Sequence, residues 1–181
     1  MKKKAMFAGG AIAALSLVMT LVAQQQPRAV DAAALKATGT ANDPMAGSWL
    51  SYGRTQSETR YSPLNQINTS NVGKLGLSWS YVVGAGGGNQ EATPLVWNNT
   101  IYSITNWSVV FALDARNGKP LWRWDPEVNQ GAVRPKLCCG IVSRGIAISS
   151  GLIFAPVIDG RLVALDALTG VVKWEARVGY P

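Results

Sequence analysis

Val110-Phe111-Ala112-Leu113-Asp114-Ala115, followed by Gly118 and Trp122, returns later in the chain as Leu162-Val163-Ala164-Leu165-Asp166-Ala167, followed by Gly170 and Trp174. The offset is 52 residues, and it also aligns Thr100-Ile101-Tyr102-Ser103 with Leu152-Ile153-Phe154-Ala155. One spacing shared by Ala-Leu-Asp-Ala-x-x-Gly-x-x-x-Trp and by the apolar run before it marks a chain assembled from a repeated supersecondary unit. Asp114 and Asp166 are placed to accept hydrogen bonds from backbone N–H groups just ahead, which tightens a turn. Gly118 and Gly170 supply the positive φ that such turns need. Trp122 and Trp174 then fall on a return strand, where a large ring packs over the neighbouring repeat. On this reading both aspartates are structural.

Each repeat divides into four short apolar runs separated by turn residues. In the first these are 92–97, 100–105, 109–113 and 119–124, with Asn98-Asn99 and Asn106-Trp107-Ser108 as turns. In the second they are 145–149, 152–157, 161–165 and 171–176. Four-stranded antiparallel units in tandem predict an all-β fold, the first blades of a β-propeller. Ahead of them, Leu75, Leu77, Trp79 and Tyr81 alternate within residues 68–83 and predict one more strand. Residues 43–66 are polar and turn-rich. The run Gly84-Ala85-Gly86-Gly87-Gly88 lacks the following Gly-Lys-Ser/Thr of a phosphate-binding loop.

The N-terminus reads as an export signal. Lys2-Lys3-Lys4 precede residues 5–23, which carry no charge, and Gln24-Gln25-Gln26-Pro27 ends any helical continuation. Residues 1–34 are expected to form a signal peptide and low-complexity leader, leaving 35–181 as the N-terminal part of the propeller, with no stable membrane span after cleavage. The formal charge of +7 then falls to 13 basic against 9 acidic residues. The basic residues are scattered singly, so a nucleic-acid partner is not expected. Histidine is absent, which excludes a histidine-based triad, a histidine-ligated zinc site and a Cys-x-x-Cys-His haem site within the chain.

The two cysteines are adjacent, at Cys138 and Cys139. Consecutive Cα atoms lie about 3.8 Å apart, below the roughly 4.4–6.8 Å of ordinary bridges. The pair is therefore either a small ring closed across one peptide bond or two reduced side chains serving as small hydrophobes. An exported chain meets an oxidising compartment, which favours the ring.

Taken together, Trp49-Leu50-Ser51-Tyr52-Gly53-Arg54, Arg60-Tyr61-Ser62-Pro63-Leu64, the repeat motif and Cys138-Cys139-Gly140-Ile141-Val142-Ser143-Arg144-Gly145 resemble the quinoprotein alcohol dehydrogenases of the methanol and ethanol dehydrogenase type. These are exported, periplasmic oxidoreductases that use pyrroloquinoline quinone (PQQ). The resemblance covers residues 49–178 and implies an eight-bladed propeller, of which this chain holds about two blades and a lead-in strand in an incomplete ring. It also implies a Cys138–Cys139 disulfide stacked on one face of the planar cofactor. Arg144 would contact its polar edge, and Glu91, in Glu91-Ala92-Thr93-Pro94-Leu95-Val96, would contact it as well. Guanidinium suits a tricarboxylate quinone because it binds carboxylates bidentately.

The expected reaction is oxidation of a primary alcohol to an aldehyde, with cytochrome c as electron acceptor and calcium or a lanthanide as the metal. The resemblance places the catalytic aspartate, the metal ligands and the tryptophan of the opposite face in later blades. No catalytic or metal-binding residue is therefore assigned here, and the chain is expected to be an inactive fragment. A second reading is a non-catalytic propeller of the same repeat, acting as a cell-envelope assembly scaffold.

Overall fold

The computed structural model describes residues 30–84 and 89–179. The basic and apolar leader of residues 1–29, and residues 85–88 of the glycine run, lie outside the described residues. Two four-stranded antiparallel sheets follow one another in chain order. Blade one is β1 (Leu95–Trp97), β2 (Thr100–Ile104), β3 (Val110–Asp114) and β4 (Pro120–Trp124). Blade two is β5 (Ala147–Ser149), β6 (Leu152–Pro156), β7 (Arg161–Asp166) and β8 (Val172–Arg177).

The repeat carries over to atomic detail. Asn98 and Asn99 turn at φ 48° and 55°, and Ser150 and Gly151 at 51° and 77°, so both first hairpins use left-handed residue pairs. Ala115 N–H donates to Asn99 O at 2.8 Å, and Ala167 N–H to Gly151 O at 2.9 Å. The register slips between Ala112 and Leu113 in blade one, and between Ala164 and Leu165 in blade two. Asp166 accepts the N–H groups of Leu168 and Thr169 at 3.0 Å, and Asp114 that of Arg116 at 2.9 Å. Gly118 and Gly170 sit at φ 71° and 72°, as their turn role requires.

The blades share one core, in which Leu95, Tyr102, Ile104 and Val110 meet Ile148, Ile153, Val163 and Leu165. The tryptophans join successive units. Trp122 lies over Gly170, where a Cβ would come 2.6 Å from the ring, and its indole N–H donates to Ala167 O at 3.0 Å. Trp79 makes the same joint one unit earlier, with its ring against Gly118 and its N–H on Ala115 O at 3.1 Å.

The expected strand around Leu75 to Tyr81 does not form, and residues 75–83 run without a ladder. A strand needs a partner for its backbone groups as well as an alternating pattern, and this segment meets blade one through the Trp79 and Tyr81 rings and the Val83 carbonyl, which accepts from Arg123 at 3.2 Å. Tyr81 lies 5.5 Å from the Phe111 ring, while Leu77 is 87% exposed. Ahead of it, residues 43–66 are turns and bends, as their composition predicts. One bridge attaches them to the free edge of β1, between Trp49 and Val96.

The packed structure also begins before residue 35. Val30 is fully buried in the shared core, and its carbonyl accepts the N–H of Ser150. Asp31 caps α1 (Ala32–Ala37) by accepting the Ala34 N–H at 2.7 Å. Composition marked this stretch as leader because it is rich in small residues, and that same smallness lets it pack closely. No helix among the described residues is long and apolar enough to cross a membrane.

Candidate functional site

The connection between the blades, residues 125–146, presents the cysteines. Asn129 caps a single helical turn, α2 (Gln130–Val133), which runs on into a tight turn containing Pro135. The connection is held down by a small second core, in which Val133 and Ile141 pack with Trp107 and with the half-buried Leu137, Val128 and Ile158. The Arg134 guanidinium sits 5.5 Å over the Trp107 ring. Leu137 and Ile141 are thus anchored on either side, and Cys138-Cys139-Gly140 between them is exposed. The two cysteines form a disulfide across 3.8 Å of Cα separation. Gly140, at φ 98°, turns the chain back at once, and open space around it shows that backbone conformation, rather than crowding, calls for glycine. The result is a compact sulfur-rich surface, polarisable and without charge.

Glu91 and Arg144 are brought together. Thr93 N–H donates to Arg144 O at 3.3 Å, which ties the segment before β1 to the segment before β5. Above that bond Arg144 Nη2 and Glu91 Oε2 lie 3.7 Å apart, with the arginine side chain 79% exposed. An ion pair this long and open contributes little to stability, so most of the guanidinium's donors remain available to a ligand. Among the described residues no hydrogen bond or ion pair joins the disulfide to Glu91 or Arg144. Arg144 shares the connection with the disulfide, five residues along from Cys139, and Glu91 reaches it from the segment before β1.

Beside Arg144 lies a depression of about 210 Å³, lined by Ser108, Val142, Ser143, Arg144, Pro156, Val157 and Ile158. Ser108 and Trp107 were assigned only to a turn from the sequence. The signal for Ser108 was present, since it stands 52 residues before Gly160 and breaks the repeat there.

The acidic residues near the blades serve their turns. Asp114 is held far below the usual carboxylate range by the Arg116 side chain, which donates at 2.9 and 2.7 Å, and by the Arg116 N–H. At Asp166 partial burial pushes upward, but bonds from Lys173, Thr169 and two backbone N–H groups outweigh it and lower the pKa. Asp159 behaves likewise, with Arg161 outweighing its burial. Among the described residues no cluster of three or more His, Cys, Asp or Glu could hold a metal ion.

A flat uncharged disulfide with a free guanidinium and serine hydroxyls nearby suits a planar aromatic ligand bearing carboxylates. Residues 49–174 match the family model described as PQQ, glucose/ethanol/alcohol dehydrogenase, beta-propeller domain. The dehydrogenase subunit of a quinone alcohol dehydrogenase from Gluconobacter oxydans is 50% identical over 155 residues, covering 79% of this chain and 20% of that protein. The structure of a quinohemoprotein alcohol dehydrogenase from Pseudomonas putida superposes with a TM-score of 0.77 at 42% identity, over 86% of this chain and 22% of the other. A europium-containing methanol dehydrogenase superposes with a TM-score of 0.68 at 39% identity, over 75% and 24%. The chain spans about a fifth of the length of the curated relatives it matches.

Proposed function

The chain belongs to the PQQ glucose/ethanol/alcohol dehydrogenase family, within its β-propeller domain, and from that premise we propose that Cys138, Cys139, Glu91 and Arg144 form one wall of a PQQ site in an exported, periplasmic alcohol dehydrogenase. The observation that carries this is the exposed disulfide on the same connection as an arginine, five residues on, whose donors are largely unspent. The sulfur ring offers a face to an aromatic plane and excludes water from it. Arg144 orients the plane through a carboxylate, and Glu91 limits where the guanidinium can swing. When bound, PQQ supplies a two-electron acceptor for oxidation of a primary alcohol to an aldehyde.

The onward acceptor in this reading is a cytochrome c, in keeping with the haem in the name of the quinohemoprotein relative, and the metal is calcium or a lanthanide, of which the name of the europium-containing relative supports the lanthanide. Taking the proton from the alcohol needs a base. Asp159 and Asp166 are committed to turns, so none is assigned here, and the chain by itself is expected to bind without turning over. The test is an equilibrium titration of the chain with PQQ, followed by fluorescence of its seven tryptophans. Saturable binding that weakens about tenfold or more in Arg144→Ala is expected. No binding would favour the non-catalytic envelope scaffold.

A further inference from the structure

The two blades carry the same tight turn between their second and third strands and build it from different residues. In blade two Gly160 N–H donates to Val157 O at 2.9 Å, with Gly160 at φ 90°. In blade one Ser108 N–H donates to Thr105 O, also at 2.9 Å, with Ser108 at φ 67°. Glycine enters this region freely, whereas a residue with a Cβ is disfavoured there. Ser108 therefore holds a conformation for which the other blade uses glycine, and what it adds is a hydroxyl. Strain of this kind, once observed, is a pointer to function.

The hydroxyl is almost wholly buried, and its oxygen accepts the Ile158 N–H at 3.0 Å. That bond uses Oγ as an acceptor, while its proton has no acceptor among the described residues. Ser108 lines the depression beside Arg144, where the other polar side chains are Ser143 and Arg144 itself. All three can donate, and Glu91, 3.7 Å from the guanidinium, is not among the residues that line the depression. Arg144 can only donate and both hydroxyls can donate as well, so the polar side chains lining the depression suit an oxyanion.

We propose that Ser108 is a further ligand-binding residue, whose hydroxyl donates to a carboxylate oxygen of the same aromatic ligand that Arg144 holds, with Ser143 beside it. The assignment rests on the cofactor reading of the wall, but its chemistry is that of any aromatic carboxylate, so the two can fail separately. The full chain, Ser108→Ala and Ser108→Gly would each be titrated with PQQ and with trimesate, an aromatic tricarboxylate that has no quinone. Ser108→Gly restores the turn residue of blade two and relieves the backbone while removing the hydroxyl. Both variants are expected to keep the circular dichroism of the parent and to bind both ligands about tenfold more weakly. Unchanged affinity in both would overturn the proposal and leave Ser108 as a cap for Ile158. Failure of the unaltered chain to bind either ligand would overturn it as well. Ser108-dependent trimesate binding without PQQ binding would uphold the subsite and sink the cofactor reading.

Discussion

Trp122 and Trp174 stand at the same point of two blades, and each covers its own blade's aromatic ring at nearly the same distance, 6.0 Å to Tyr102 and 5.9 Å to Phe154. Beyond that they part. Trp122 docks on the Ala167–Gly170 turn of the next blade and spends its indole N–H there. Trp174 is 41% exposed, and its N–H has no acceptor among the described residues. The strands follow suit, since β8 is exposed along its whole length while β4 is partly covered. The repeated motif is thus one half of a joint: the turn receives a ring from the unit before, and the tryptophan reaches for the unit after. A blade's stability therefore depends on its neighbours as well as on its own sequence.

Substituting the two tryptophans measures that difference directly. Trp122→Ala removes a half-buried ring and the joint, and is expected to lower stability by about 2–3 kcal/mol, somewhat below the cost of a fully buried tryptophan. Trp174→Ala loses only its packing on Phe154, about 1 kcal/mol. Urea unfolding of the folded chain reads both, and equal losses would mean that the joint contributes nothing. Gly170→Ala sharpens the point against Gly151→Ala. Both residues have positive φ, but a Cβ at Gly151 meets open space while one at Gly170 meets Trp122. Gly151→Ala should cost about 1 kcal/mol and Gly170→Ala about 1–2 kcal/mol more, from the displaced ring.

A smaller contrast lies at the ring beneath each tryptophan. Tyr102 is a tyrosine where blade two has Phe154, and burial pushes its phenol up from 10.0 to about 12. A raised pKa means stability that is complete below pH 10 and lost as pH rises through 12. Tyr102→Phe should flatten that alkaline loss, and an unchanged pH profile would show that the phenol is not held neutral by the fold. The smallest effect is expected at the opposite end of the scale. Asp166 titrates below its ordinary 3.8, so its share of stability is present above that pH and fades as pH falls below it. Asp166→Asn should make blade two slightly less acid-sensitive.

The blades were legible in the sequence because their determinants are local. Asn98-Asn99 and Ser150-Gly151 fix the hairpins, and Asp, Gly and Trp recur at one spacing whatever lies beyond. The segment around Leu75 and Leu77 misled for the opposite reason, because alternation states a preference while a ladder requires a partner strand. Val30 was missed because a boundary drawn on composition does not show which small residue fills a core. At the candidate site, the adjacent cysteines, Glu91 and Arg144 were legible through the resemblance, and the structure places Glu91 against Arg144 across the blade interface. Ser108 is marked in the sequence only as a departure from the 52-residue repeat, opposite Gly160, and its burial and its bond to the Ile158 N–H appear only in the folded chain.

In the proposed site, blade one and the connection into blade two together hold the disulfide out as a face for PQQ. The most direct test compares PQQ binding to the chain before and after reduction of Cys138–Cys139, with Glu91 and Arg144 intact and tryptophan fluorescence as the readout. The oxidised chain is expected to bind several-fold more tightly, because reduction opens the ring and leaves two mobile thiols. Equal affinity in the two states would contradict the disulfide's place in the wall.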